Sequence, residues 1–281
     1  MIKSKDVFDL YSECFPEDSL AMRELFFRQK LGINNCHFIE YNNKLACQLF
    51  IIEKYLKYAK NTISLPFLVG LGTSKEHRNK GLAKKLLVDV LEKMEGVPFI
   101  SLYPFSHSFY EKMGFATVSY DYLGEPTANK ISAKKAYSLY KEYVNNLDYY
   151  IERTFDDFVW LEKVTKTDNS CFSLIPPSGY TNGEETVIVG NKGSLKGTMA
   201  RIVDLFAAIT ISKLSFPAVK ITDNLIKRNN VIIKSDNGKI TYCTDYEKEI
   251  NISQLTSAMF GINSDYPYQI CEITGHILDR Y

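Results

Sequence analysis

The stretch Leu65–Leu91, LPFLVGLGTSKEHRNKGLAKKLLVDVL, decides the fold. It begins as a β-prone apolar run interrupted by Gly70 and Gly72. Glycine inside a strand marks a bulge or the close approach of another backbone. A polar turn follows, and Arg78-Asn79-Lys80-Gly81-Leu82-Ala83 opens a helix. Leu82, Leu86, Leu87, Val90, Leu91 and Met94 fall on one stripe at helical spacing, with Lys84, Lys85 and Asp89 off it. Gly96 stops the pattern. Backbone N–H groups in a turn at a helix N-terminus make an anion site. Gly81 lets the backbone approach a pyrophosphate, and Arg78 and Lys80 add charge.

Working outward, the pattern stays mixed. Residues 6–31 read as helical with a break at Pro16. CHFIEY and KLACQLFIIEKYL flank Asn42-Asn43 as a hairpin. After the 82–94 helix come a strand in PFISLY, a short helix in HSFYEKM closed by Gly114, and a strand in FATVSYDYL. Strand, helix and strand in alternation predict an α/β (α+β) fold, a mixed sheet with covering helices. Gly124-Glu125-Pro126 reads as a boundary. Two helices are expected over 130–164 and two strands over 169–193. A third region from Met199 reads as strand, helix, three strands and the segment ISQLTSAMFG. The division expected is 1–122, 123–195 and 196–281.

Bulk properties exclude several classes. The chain has 281 residues, 45% hydrophobic and 24% charged, with a formal net charge of +1. So balanced a surface gives no reason to expect nucleic acid or an anionic membrane as partner. Cys14, Cys36, Cys47, Cys171, Cys243 and Cys271 are scattered without CxxC pairs or zinc-ligand spacing, so reduced structural thiols and no metal are expected. The N-terminus lacks the apolar core of a signal peptide, and no apolar run reaches membrane-spanning length. A cytoplasmic protein with no membrane association is expected.

The 65–91 segment resembles motif A of the GNAT superfamily of N-acetyltransferases, with its R/Q-x-x-G-x-A/G loop. PFISLYPFSHSFYEKMGF resembles motif B, a strand followed by a short helix ending in Y-x-x-x-G-F. More narrowly, both segments are similar to the Eis-like acetyltransferases, named for enhanced intracellular survival. TMARIVDLFAAI, KITDNLIKRNN, GKITYC and INISQLTSAMFG are similar to the sterol-carrier-protein-like domain that ends Eis-like chains. The middle departs: such chains usually carry a second, degenerate GNAT domain there, and 123–195 has room for a shortened one only.

The resemblance implies acetyl-CoA as donor and a primary amine as acceptor, either an aminoglycoside-like polyamine or a lysine side chain. It implies backbone contacts to the donor from Leu71, Gly72 and Thr73, where two strands splay apart. Arg78, Asn79, Lys80, Gly81, Leu82 and Ala83 would hold the pyrophosphate. Tyr110 matches the motif B tyrosine, which serves as general acid. A phenol with reference pKa ~10 stays protonated beside a thiol of ~8.5 and can hydrogen-bond the leaving thiolate. Ser106 would cap the helix or touch the donor, capping being the simpler role. Tyr281 would offer its terminal carboxylate as general base. A free α-carboxylate of ~3.5 is too acidic for this unless desolvation raises it or a water relays the proton. Large ring-like homo-oligomers are common among Eis-like proteins.

His77 and His107 sit in turns where a packing role is the simpler one, and His37 and His276 have no partner visible in the sequence. Two other functions fit the same sequence. One is a catalytically weak CoA-binding module used for sensing or assembly. The other is lipid carriage by the C-terminal region.

Overall fold

The computed structural model describes residues 2–122, 129–167, 169–175, 179–183, 186–188, 195–262 and 265–277. Helices α1 (Ser4–Cys14) and α2 (Leu20–Phe26) lead into the hairpin β1 (Cys36–Tyr41) and β2 (Lys44–Ile52). Asn42 and Asn43 turn that hairpin with φ of 51° and 60°, the double left-handed geometry that two-residue hairpins need and Asn tolerates. A second hairpin, β3 (Tyr55–Tyr58) and β4 (Asn61–Ser64), precedes β5 (Phe67–Thr73), α3 (Leu82–Leu91) and β6 (Phe99–Leu102). Then come α4 (His107–Glu111), β7 (Ala116–Thr117), β8 (Tyr120–Asp121), α5 (Ala133–Val144), β9 (Tyr149–Ile151) and α6 (Phe155–Thr167). The α/β reading of the sequence therefore holds.

The central sheet has six strands, in the order β1, β2, β5, β6, Met199–Ile202, β7. One apolar core under α3 and α4 joins Leu68, Leu86, Leu87, Ile100, Leu102, Tyr110 and Phe115. The opposite core takes Val7, Tyr11, Phe26, Phe50, Phe67, Val69 and Phe99 and continues into the C-terminal region. Burial on both faces explains the unbroken apolar runs of β2 and β5.

The Met199–Ile202 strand, from the third region, joins the N-terminal sheet. It pairs antiparallel with β6, Met199 opposite Leu102 and Ile202 opposite Phe99, and with β7 on its other side. The N-terminal sheet is thus completed by a strand from the third region. Its Arg201 is fully buried and bonds the Met113 and Ile202 carbonyls at 2.9 and 2.7 Å. It also pairs with the equally buried Asp223. Asp223 further accepts from Leu225 N, Ile226 N and Asn229 Nδ2 at 2.9–3.1 Å. A buried ion pair survives only when its remaining hydrogen-bonding capacity is met, and here it is met from both regions.

Beyond this strand lie a helix, Leu205–Ser212, and a four-stranded sheet in which Phe216–Thr222 pairs antiparallel with Val231–Asp236 and parallel with Lys248–Asn251. The segment ISQLTSAMFG forms the Ile252–Met259 helix, capped by Asn251 and Gln254 in a reciprocal box. Among the described residues of the middle region there are three short antiparallel strands within 173–188, one more than expected. Strand β9 also went unforeseen, because three residues are too few to show a period. It links β3 to Gly275–His276 near the chain end. No described helix is long and apolar enough to cross a membrane.

Candidate active site

The glycines of β5 build a bulge. Gln48 on β2 faces Gly72, and Phe50 faces Val69, so Gly70 and Leu71 together lie opposite Leu49 alone. Gly70 takes φ of 62° there, a left-handed conformation that glycine adopts without strain. At Gly72 the constraint is space: a Cβ would stand 2.6 Å from Cys14 Sγ on α1.

On its other side β5 parts from β6. Their parallel pairing consists of Phe67 with Ser101 and Leu68 with Leu102. Beyond Leu68, β5 continues to Thr73 with β2 as its only strand neighbour among the described residues. Leu71, Gly72 and Thr73 therefore lie on the part of β5 that extends beyond its pairing with β6. A row of backbone groups without a strand partner is a template for an extended ligand.

That strand leads straight into the anion-type turn. Ser74 starts a short turn of Lys75–His77, and the loop reaches α3 at Gly81, its N-cap residue, with φ of 73°. Arg78, Asn79, Lys80 and Gly81 are all exposed. A Cβ built on Gly81 meets no heavy atom within 4 Å, so the helix N-terminus is open. Arg78 Nε donates to the Thr73 carbonyl at 3.2 Å and Lys80 Nζ to the Glu76 carbonyl at 3.0 Å. Both cations are parked on backbone oxygens beside the amides of α3. Leu82 and Ala83, in the first turn, pack on the same core as Leu71 and Tyr110.

Tyr110, on α4, is 5% exposed and sits in an aromatic cluster with Phe105, Phe109 and Phe115 at centroid distances of 5.1–5.6 Å. Burial holds its phenol well above the ordinary tyrosine value, hence neutral. Ser106 occupies the N-cap position but does not cap by its side chain. Its hydroxyl turns to Ser108 Oγ at 3.1 Å instead, which corrects the capping role expected for it. Tyr281 lies outside the described residues. Ile277, the last described residue, is fully buried, and its carbonyl accepts from Thr198 Oγ1 at 2.8 Å and Ser119 Oγ at 3.4 Å.

The histidines separate clearly. His77 is buried against the Tyr41 ring with Nδ1 on Ser74 Oγ at 2.8 Å, and it shapes the loop. His107 bonds the Gly197 carbonyl at 3.0 Å. His37 is held below its ordinary value by burial and by Lys93. His276, partnerless in the sequence, is 7% exposed and sits in a polar chain. Its Nδ1 meets Tyr143 Oη at 3.0 Å and its Nε2 meets Asp121 Oδ1 at 3.4 Å. Asp121 Oδ2 accepts from Tyr103 Oη at 3.1 Å.

Sequence reasoning missed this chain of Tyr103, Asp121, His276 and Tyr143 because its members come from four separate segments. The one available signal was Asp121 in an otherwise apolar and aromatic strand pattern. Tyr103 follows Leu102 directly, so it stands where β6 has just left β5. It packs on the core opposite the one that holds Tyr110. Tyr103 and Tyr110 thus pack on different cores of the sheet. The six cysteines are free, and no cluster of His, Cys, Asp and Glu suited to a metal occurs among the described residues.

Residues 3–118 match the family model of the acetyltransferase (GNAT) domain. No curated protein is similar in sequence. Over nearly the whole chain the fold matches a protein of unknown function from Enterococcus faecalis V583 described as a probable N-acyltransferase, with 13% identity, 99% of this chain and 97% of that one covered, and a TM-score of 0.70. Eis1 from Mycobacterium abscessus matches at 12% identity, covering 93% and 88%, with a TM-score of 0.70. A GCN5-related N-acetyltransferase from Anabaena variabilis ATCC 29413 matches at 16% identity, covering 99% and 97%, with a TM-score of 0.69. At such identities the likeness is one of fold. The bulged β5, the open N-terminus of α3 and the tyrosine of α4 all lie within the matched 3–118 segment. The chain therefore carries an acetyltransferase (GNAT) domain over residues 3–118 and is an acetyltransferase enzyme.

Proposed function

We propose that the chain binds acetyl-CoA between the diverging ends of β5 and β6 and transfers its acetyl group to a primary amine, on an aminoglycoside-like polyamine or a lysine side chain. One observation carries this reading. The β5 edge that loses its strand partner after Leu68 runs, within eight residues of Thr73, into the open helix N-terminus at Gly81. An extended donor with a thioester at one end and a pyrophosphate at the other suits that path. The amides of Leu71, Gly72 and Thr73 bind the pantetheine arm and polarise the thioester carbonyl. Arg78 and Lys80 turn from their carbonyl partners to the pyrophosphate, beside the amides of Gly81, Leu82 and Ala83. Ser106 stands at the start of α4, near the thiol end.

In the reaction the amine nitrogen attacks the thioester carbon, the C–S bond breaks, and Tyr110 gives its phenolic proton to the leaving thiolate. The proton released by the amine goes to a base on the acceptor's side of the site. The Eis-like assignment, the sterol-carrier-like role of 196–281 as scaffold, a cytoplasmic location and homo-oligomerisation belong to this same reading.

Titration calorimetry with acetyl-CoA tests it. Arg78→Ala removes a charge-assisted contact of ~1.5–3 kcal/mol, which weakens affinity roughly 10- to 150-fold. Gly81→Asp weakens it at least as much, by placing an anion against the pyrophosphate and a side chain at positive φ. Unchanged affinity in both variants would remove the donor site from this loop.

A further inference from the structure

We propose that Asp121 and His276 form a proton acceptor behind Tyr103, which takes the proton released by the acceptor amine. The inference rests on the amine-acetylating reading above and deepens it. Acetylation of an ammonium, R–NH3+ with acetyl-CoA, gives R–NH–acetyl, CoA–SH and one free proton. Tyr110 supplies the thiol proton and regains one from the tetrahedral intermediate. The remaining proton leaves the ammonium before attack and must go to a base on the amine's side of the opening.

The geometry meets that need. Tyr103 is half-buried, directly follows the last residue of β6 paired with β5, and packs on the core opposite the one that holds Tyr110. Its hydroxyl donates to Asp121 Oδ2 at 3.1 Å. An ammonium that gives a proton to the Tyr103 oxygen lets the original hydroxyl proton pass to Asp121, so Tyr103 ends unchanged. Asp121 shares its charge with His276 across 3.4 Å. Tyr143, beyond His276, both donates and accepts, so it tolerates either imidazole state. The imidazole offers the proton that reaches Asp121 a second acceptor across the same contact.

The described neighbours of the pair include several polar groups with partners of their own. Asp121 and His276 are 5% and 7% exposed. His276 faces Tyr150 across the Gly275–His276 and β9 pairing, and Gly275 faces Tyr149. On β8, Tyr120 is paired with Lys196. Asp148 is taken up by Thr274 N at 2.9 Å. His107 is engaged with the Gly197 carbonyl. Burial pushes Tyr143 up to about 12, and Tyr149 is held well above the ordinary value, so both stay neutral. Gly197 is packed so closely that a Cβ there would stand 2.6 Å from Asp121 Oδ1, which fixes the carboxylate in place.

The test is the pH dependence of kcat/KM for wild type, Asp121→Asn, His276→Gln and a chain lacking Tyr281. Asp121→Asn is expected to lower kcat/KM about 10²-fold or more at neutral pH and to abolish the acidic limb. In His276→Gln that limb moves down by at least one pH unit, toward ordinary carboxylate values. Acetyl-CoA affinity stays within twofold of wild type in both. NMR titration of the His276 imidazole gives a readout independent of turnover and of assay conditions: its midpoint falls by at least one unit in Asp121→Asn.

An equal loss of rate at every pH would make the pair structural and overturn the proposal. So would an unmoved acidic limb in both variants with its loss in the Tyr281 deletion, which would give the base to the chain terminus. A wild-type protein that acetylates no amine would instead overturn the reading on which the proposal rests, and the proposal with it.

Discussion

Tyr110→Phe lowers the rate of acetyl transfer about 10²–10⁴-fold, the usual worth of a positioned general acid. The phenol lies among Phe105, Phe109 and Phe115, and Phe keeps the ring that packs there. Its hydroxyl makes no hydrogen bond with a described residue, so its loss strands no partner and the fold is retained. The effect therefore falls on kcat, with acetyl-CoA affinity near normal. Burial also sets the pH behaviour. Because the phenol is held well above its ordinary value, it stays protonated through the alkaline range. Tyr110 thus produces no fall in activity up to about pH 10. Steady-state kinetics over that range check both statements. A variant within twofold of wild type would make Tyr110 a packing residue.

The largest effect on stability is expected at Arg201. Arg201→Met removes the guanidinium from a site of zero exposure and leaves Asp223 buried without its countercharge. Breaking one half of a buried pair costs ~3–5 kcal/mol. The loss also strands the Met113 carbonyl that Arg201 Nε satisfies. Denaturant or thermal unfolding is expected to show that loss. Arg201→Met combined with Asp223→Asn recovers part of it, because the orphaned charge is gone. The damage reaches the acetyltransferase domain, since Arg201 stands in the strand between β6 and β7. A single variant as stable as wild type would show that the buried pair does not hold this strand in the sheet.

How far the sequence was legible follows from where each signal lies. The bulge at Gly70, the turn at Asn42-Asn43 and the left-handed Gly81 each need a special backbone conformation, and each is met by the residue suited to it. The α3 stripe was readable because one face of the helix meets a single core. Leu71, Leu82, Ala83 and Tyr110 were named from the resemblance to motifs A and B, and the fold brings all four onto that core.

Long-range pairing was not legible. Met199–Ile202 reads as a buried strand, but nothing in four residues says that its partners are β6 and β7, about 80–100 residues earlier. The same holds for His276, whose partners Asp121 and Tyr143 come from β8 and α5. Ser106 was misread because an N-cap position does not oblige its side chain to cap, and the neighbouring Ser108 competes for it. The middle region, short against the second GNAT domain usual in Eis-like chains, belongs to a whole-chain fold shared with the E. faecalis and A. variabilis proteins, which are matched over 97% of their length.

The central claim is that the opening between β5 and β6 transfers acetyl groups to amines. Its most direct measurement is the release of free CoA thiol from acetyl-CoA, with mass spectrometry of the acceptor, across polyamines, aminoglycosides and lysine peptides. The account predicts release that depends on an amine, one acetyl group gained by the acceptor per thiol released, and loss of both signals in Tyr110→Phe. Tight acetyl-CoA binding with no amine-dependent thiol release from any acceptor would contradict it and leave a CoA-binding module in its place.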